Sequence, residues 1–124
     1  VNMGYIKHVE PETVFQLSDQ VQIQKGQVVS KTLAQNPAVS LTLFSFDQGE
    51  EISTHASHGD ALVTVLEGRG QFTVDGTVYV LEAGESLVMP ANKPHAVYGI
   101  QAFKMLLTVI FPESEHEGKE QSSY

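Results

Sequence analysis

Cysteine is absent from the sequence. That removes disulfides, thiolate catalysis and cysteine-bound zinc, and it leaves the compartment unreadable from redox chemistry. Basic residues are scarce: seven Lys and Arg stand against fifteen Asp and Glu, for a net charge of −8. A nucleic-acid surface needs a basic footprint, and anionic membranes repel such a chain, so neither is expected as a partner. No apolar run approaches the roughly 18–20 residues that cross a bilayer. The start lacks the basic stretch followed by an apolar one that marks a secretory leader. The default expectation is a cytoplasmic protein. Val1 and Asn2 precede Met3 and read as an expression remnant outside the fold. The sequence has no internal repeat, no heptad pattern and no glycine-rich phosphate loop. Gly68-Arg69-Gly70 is a turn with no helix after it, which is not a dinucleotide motif.

What remains is a chain of one domain's length, 124 residues with 41% apolar and 18% charged side chains, enough for a globular core. Its dominant period is two. Val39 to Phe46, Leu62 to Leu66, Gln71 to Val74 and Thr77 to Leu81 are short segments rich in Val, Thr, Phe and Tyr, the mark of half-buried strands. Asp75-Gly76 between two of them predicts a tight hairpin, since both turn residues tolerate positive φ. Further turns fall at Glu67–Gly70 and Glu82–Glu85, a spacing that indicates an all-β sandwich or barrel. Val21–Gln24 and Gln27–Leu33 read as strand, turn, strand, and Pro11–Leu17 as one helical turn. Phe103–Phe111 is long and apolar. Its β-branched content and Pro112 immediately after it favour a buried strand over a helix. From Pro112 to Tyr124 there is no large aliphatic residue, and four Glu stand against one Lys. This stretch, 112–124, reads as an acidic flexible tail and leaves 3–111 as the domain.

The five histidines are the near-neutral titrating groups. His8 and His116 read as solvated. His55, His58 and His95 lie within the strand-rich region. Without cysteine, a transition-metal site needs imidazole and carboxylate ligands.

Residues 49–99 resemble the core of the cupin superfamily. Gly49 is followed after five residues by His55, with Gly68 closing the segment, and Gly84 is followed after five residues by Pro90, with His95 in the second histidine position. The resemblance implies an antiparallel double-stranded β-helix, or jelly-roll barrel, like that of the small single-domain bacterial cupins. It carries metal-ligand roles onto His55 and His95. It also puts Ser57 where a second histidine usually stands, Ala61 at the glutamate position, Asn92 at a glycine and Gly99 at the final asparagine. Two of the four usual ligands are thus replaced.

On a strict strand His58 points away from His55. Gly59 permits a bulge that re-aims it, so a site of His55, His58 and His95, with Asp60 as a weaker fourth ligand, is geometrically open. The other reading makes His58 a loop residue and leaves no tight metal. Ni, Zn, Mn or Fe suits such donors.

The barrel pocket has Phe44, Phe46, Phe72, Tyr79, Met89, Tyr98 and Met105 as wall candidates, each also a plain core residue. His55, His95, Met89 and Tyr98 are the expected ligand contacts. Two functions follow: a binding module for a small carboxylate or sugar-like ligand, or a metal-dependent enzyme of the dioxygenase, isomerase or decarboxylase kind that the resemblance implies. The N-terminal segments before Gly49 leave an edge to cover, so a homodimer is expected.

Overall fold

The computed structural model describes residues 4–113. Val1 and Asn2, and all but two residues of the expected acidic tail, lie outside the described residues. Nine strands are found within them: β1 (Val28–Gln35), β2 (Val39–Phe46), β3 (Glu51–His55), β4 (Asp60–Glu67), β5 (Arg69–Val74), β6 (Thr77–Glu82), β7 (Ser86–Met89), β8 (His95–Gly99) and β9 (Phe103–Ile110). Five make one sheet in the order β1-β2-β9-β4-β7, and four make a second in the order β3-β8-β5-β6. All pairings are antiparallel. The two sheets face each other across one core: the all-β class follows the period of two, and the jelly-roll barrel is the form that the cupin resemblance implies.

Side-chain alternation decides what fills that barrel. Phe44 and Phe46 from β2, Val63 and Val65 from β4, Phe72 from β5, and Phe103, Met105 and Leu107 from β9 are buried in a single cluster. Phe103 sits at its centre. Its ring stacks on Phe46 at 4.6 Å between centroids and meets Phe72 edge-on at 6.0 Å. Gly70 makes room for it, because a Cβ there would come within 2.7 Å of the Phe103 ring. Each such buried aromatic contributes about 1.5–3 kcal/mol of transfer free energy. Phe44, Phe46, Phe72, Met89 and Met105 are therefore core side chains, while Tyr79 is exposed on the edge strand β6.

The turns follow from backbone chemistry. Asp75 and Gly76 both take positive φ, 49° and 87°, as a two-residue hairpin of matching twist requires. Gly68 alone joins β4 to β5 at φ 83°, with the Ala102 carbonyl directly against it, where no Cβ fits.

Two elements differ from the sequence reading. The helical turn is a 3-10 turn at Leu17–Gln20, just after the expected position. Val21–Gln24 forms no ladder. It lies extended across the outer face of the five-stranded sheet, where Val21 is buried against Leu33 and Leu43 in a second apolar cluster. Side chains hold it there: Ser45 Oγ donates to the Gln22 carbonyl at 2.7 Å, Lys104 Nζ to the Ser18 carbonyl at 2.6 Å, and Lys31 Nζ to the Gln20 carbonyl at 3.2 Å. The apolar alternation of Val21 and Ile23 marks a strap with one face down, a pattern that period alone does not distinguish from a paired strand.

Candidate functional site

His55 ends β3 and His95 begins β8, and the two residues are direct cross-strand partners. A register shift between Ile52 and His55 makes this possible. Three residues of β3 advance while β8 advances two, so Ile52 and His55 both face inward despite their odd spacing. Their partners Val97 and His95 are both buried. The two imidazoles meet edge to face with centroids 4.5 Å apart. His95 is 1% exposed, and His55 is half-buried.

Each ring is oriented by its own backbone. His55 Nδ1 lies 3.0 Å from the Ser53 carbonyl, and His95 Nδ1 lies 3.2 Å from the Lys93 carbonyl. A carbonyl only accepts, so each Nδ1 carries the proton and each neutral ring keeps its lone pair on Nε2. Burial pushes the His95 pKa below the ordinary imidazole value, the neighbouring His55 pushes the same way, and the bond to Lys93 pulls weakly against both. At neutral pH His95 is thus a hydrogen-bond acceptor at Nε2, and proton uptake turns that atom into a donor.

The other predicted residues lie elsewhere. His58 lines a separate cleft of about 300 Å3 with Asp60, Asn92, Ile110, Phe111 and Pro112. The reason is Gly59, which presses against the Ile110 carbonyl and holds the loop between β3 and β4 to the end of β9. One oxygen of Asp60 accepts from the Ala91 N–H at 2.8 Å, which ties the carboxylate to the loop after β7. Met89 is fully buried in the core at the end of β7. Tyr98 is on the outer face of β8, in a shallow groove with Glu51, Gln71 and Thr73. Along that strand His95, Val97 and Gly99 point in while Ala96 and Tyr98 are more exposed. Parity counted from His95 separates Tyr98 from the histidine pair.

The donor set does not fit a cupin-type metal centre. An open catalytic site takes three protein ligands. Ser57 and Ala61 are both buried, and neither offers imidazole or carboxylate. The Ser57 hydroxyl accepts from the Gly59 N–H at 3.2 Å, and its carbonyl accepts from the Asn92 N–H at 2.8 Å. Among the described residues, no group of three or more His, Asp and Glu is placed to hold a metal ion.

Two features were not anticipated. Lys104 is buried within the apolar run of β9, a lone cation in a hydrophobic strand and so visible in principle. Ahead of the strap, the segment 4–17 lines an apolar cavity of about 590 Å3 together with Leu33, Leu41 and Leu106 on the outer face of the first sheet, for which period alone gives no signal.

No helix among the described residues is long and apolar enough to cross a membrane. The chain has relatives of known structure. It is 44% identical to a conserved protein of unknown function from Streptococcus pyogenes, covering 90% of this chain and 98% of that one with a TM-score of 0.87. A cupin superfamily protein from Desulfitobacterium hafniense is 33% identical over 87% of this chain and 99% of its own, with a TM-score of 0.83. A salicylate 1,2-dioxygenase variant from Pseudoaminobacter salicylatoxidans shares the fold alone, at 18% identity and a TM-score of 0.64 over 75% of this chain and 29% of that one. No curated protein matches. The cupin-domain family model matches residues 42–111, the span that carries β3 to β9 and both inward histidines, and on that match the chain belongs to the cupin family.

Proposed function

We propose that this cupin is a binding module whose His55–His95 pair takes a small polar ligand, with hydroxyl groups of a sugar-like molecule as the preferred partners at neutral pH. One observation carries the reading: both Nδ1 atoms face backbone carbonyls two residues earlier in the chain, so the two neighbouring rings present Nε2 as acceptors in the neutral state. A hydroxyl matches an acceptor without any change of protonation. A carboxylate offers no donor, and its binding requires the pair to take up a proton, which the lowered His95 pKa opposes. The reading does not rest on a metal, because Ser57 and Ala61 stand where a cupin centre needs its other ligands.

The test is imidazole 15N NMR at pH 7.5 with glucose, glycerol and acetate as probes. Glucose or glycerol is expected to move the Nε2 resonance of His95, with the response lost in His55→Ala. Acetate is expected to act only as the pH falls below about 6.5, the ordinary value of a free imidazole. No response to either hydroxyl probe, or an equal response in His55→Ala, overturns the proposal.

A further inference from the structure

Asp60 opens β4 and stands directly opposite Ile110 at the end of β9. A carboxylate set against an exposed isoleucine gains nothing from sheet pairing. Both residues belong to the cleft of about 300 Å3 whose lining joins the polar His58, Asp60 and Asn92 to the apolar Ile110, Phe111 and Pro112. Three bonds hold its walls in place: the Ala91 N–H on Asp60 Oδ1 at 2.8 Å, the Asn92 N–H on the Ser57 carbonyl at 2.8 Å, and the Phe111 N–H on the Ala38 carbonyl at 3.0 Å. Among the described residues, the second oxygen of Asp60, the His58 ring and the Asn92 carboxamide have no hydrogen-bond partner. The ion pairs found there, Arg69–Glu82, Lys93–Asp75 and Lys104–Glu67, leave Asp60 out.

We infer that this cleft binds a small primary alkylammonium. Its polar side offers acceptors: the second carboxylate oxygen of Asp60, the Asn92 side-chain carbonyl and one nitrogen of a neutral imidazole at His58. An ammonium head carries three donors and no acceptor. Its carbon chain then lies on Ile110, Phe111 and Pro112, as a lysine stem lies along apolar surface while the head stays with polar groups. The net charge of −8 raises the local concentration of such a cation. Other classes fit less well. An anion meets the Asp60 carboxylate, and so does the acid group of an amino acid. A polyol reaches the acceptors but brings no charge to Asp60 and no apolar chain to Ile110 and Phe111. A divalent metal lacks ligands, since no group of three His, Asp and Glu is gathered among the described residues. A volume of about 300 Å3 is at the small end for ligand sites and suits an amine of a few carbons. His55 and His95 do not line this cleft, so its occupancy is independent of the ligand proposed for that pair.

The experiment is an amide proton–nitrogen NMR titration of the full chain at about pH 8, above the ordinary range of a free imidazole. The probes are n-butylammonium chloride, n-butanol and sodium butyrate, each from about 0.1 to 100 mM. Butylammonium is expected to shift the amides of Gly59, Asp60 and Asn92 along a saturating curve. Butanol, with the same chain and no charge, is expected to bind about tenfold more weakly or less, and butyrate to leave those amides still. Asp60→Asn keeps an oxygen for the Ala91 N–H and removes the charge. It is expected to weaken butylammonium about tenfold with the rest of the spectrum unchanged. The absence of a saturating shift overturns the inference, as does equal binding of butanol, an unchanged affinity in Asp60→Asn, or shifts spread evenly over the acidic surface. Tighter binding of Nα-acetyl-lysine methylamide than of butylammonium assigns the cleft to a lysine of a partner chain and also overturns it.

Discussion

His55 and His95 face each other directly across two neighbouring strands, with ring centroids 4.5 Å apart. Two imidazoles so placed resist a second proton, and burial of His95 adds to that resistance. The unfolded chain carries no such penalty. Folding therefore lowers the His95 pKa, and stability rises with pH wherever the unfolded state binds the extra proton.

The stabilisation is complete above the unfolded imidazole value of about 6.5 and falls away as the pH drops from there toward the lowered folded value. Urea midpoints measured at about pH 7.5, 6.5 and 5.5, spanning that value, should decline in wild type. His95→Gln should flatten that decline by up to about 1.4 kcal/mol per pH unit. An unchanged slope would remove His95 from the acid response.

Gly68 and Gly84 both have positive φ, 83° and 90°, but their surroundings differ. Nothing lies within 4 Å of a Cβ at Gly84, whereas one at Gly68 meets the Ala102 carbonyl and Phe103. Gly84→Ala should cost about 1 kcal/mol for the backbone alone. Gly68→Ala should cost about 3 kcal/mol, strain and overpacking together. Equal midpoint shifts in chemical denaturation would contradict the close approach.

Asn92 stands where the cupin signature has glycine, and its φ of 67° explains why. Asparagine is among the few residues that visit the left-handed region routinely. Asn92→Gly should be near neutral, because glycine enters the left-handed region freely, while Asn92→Val should cost about 1–2 kcal/mol. The pair of thermal melts is the measurement.

Lys104 reaches the Ser18 carbonyl at 2.6 Å from a buried position, with Glu67 at 3.7 Å. Lys104→Ala should destabilise by about 1–3 kcal/mol and raise amide exchange across residues 17–22. Loss of stability without faster exchange in that segment would place the effect elsewhere.

The barrel was legible because its wall obeys a period of two: Phe44/Phe46, Phe72/Val74 and Phe103/Met105 alternate with side chains on the other face, and Asp75-Gly76 forms the hairpin its chemistry demands. The pairing of His55 with His95 was visible only through the family signature, because it depends on a bulge after Ile52 that no local sequence preference marks. His58 was harder still. Gly59 permits several loop paths, and the contact that selects one is with Ile110, far away along the chain. Tyr98 was separable by counting from His95. The strap eluded period analysis because an extended segment lying on a sheet and a strand within one bury alternate residues alike.

The placement of β9 has a bearing on how the molecule forms. The last strand in sequence is bonded on one side to β2 and on the other to β4. Until Phe103–Ile110 has been synthesised, those two strands have no common neighbour, and Phe46 and Phe72 lack the ring that lies against both. Biogenesis of the first sheet thus waits for its final segment, which closes contacts across most of the chain in one step. Such long-range closure slows folding relative to local pairing, and a chain shortened by its last strand would lose the seam of the barrel and not merely an edge.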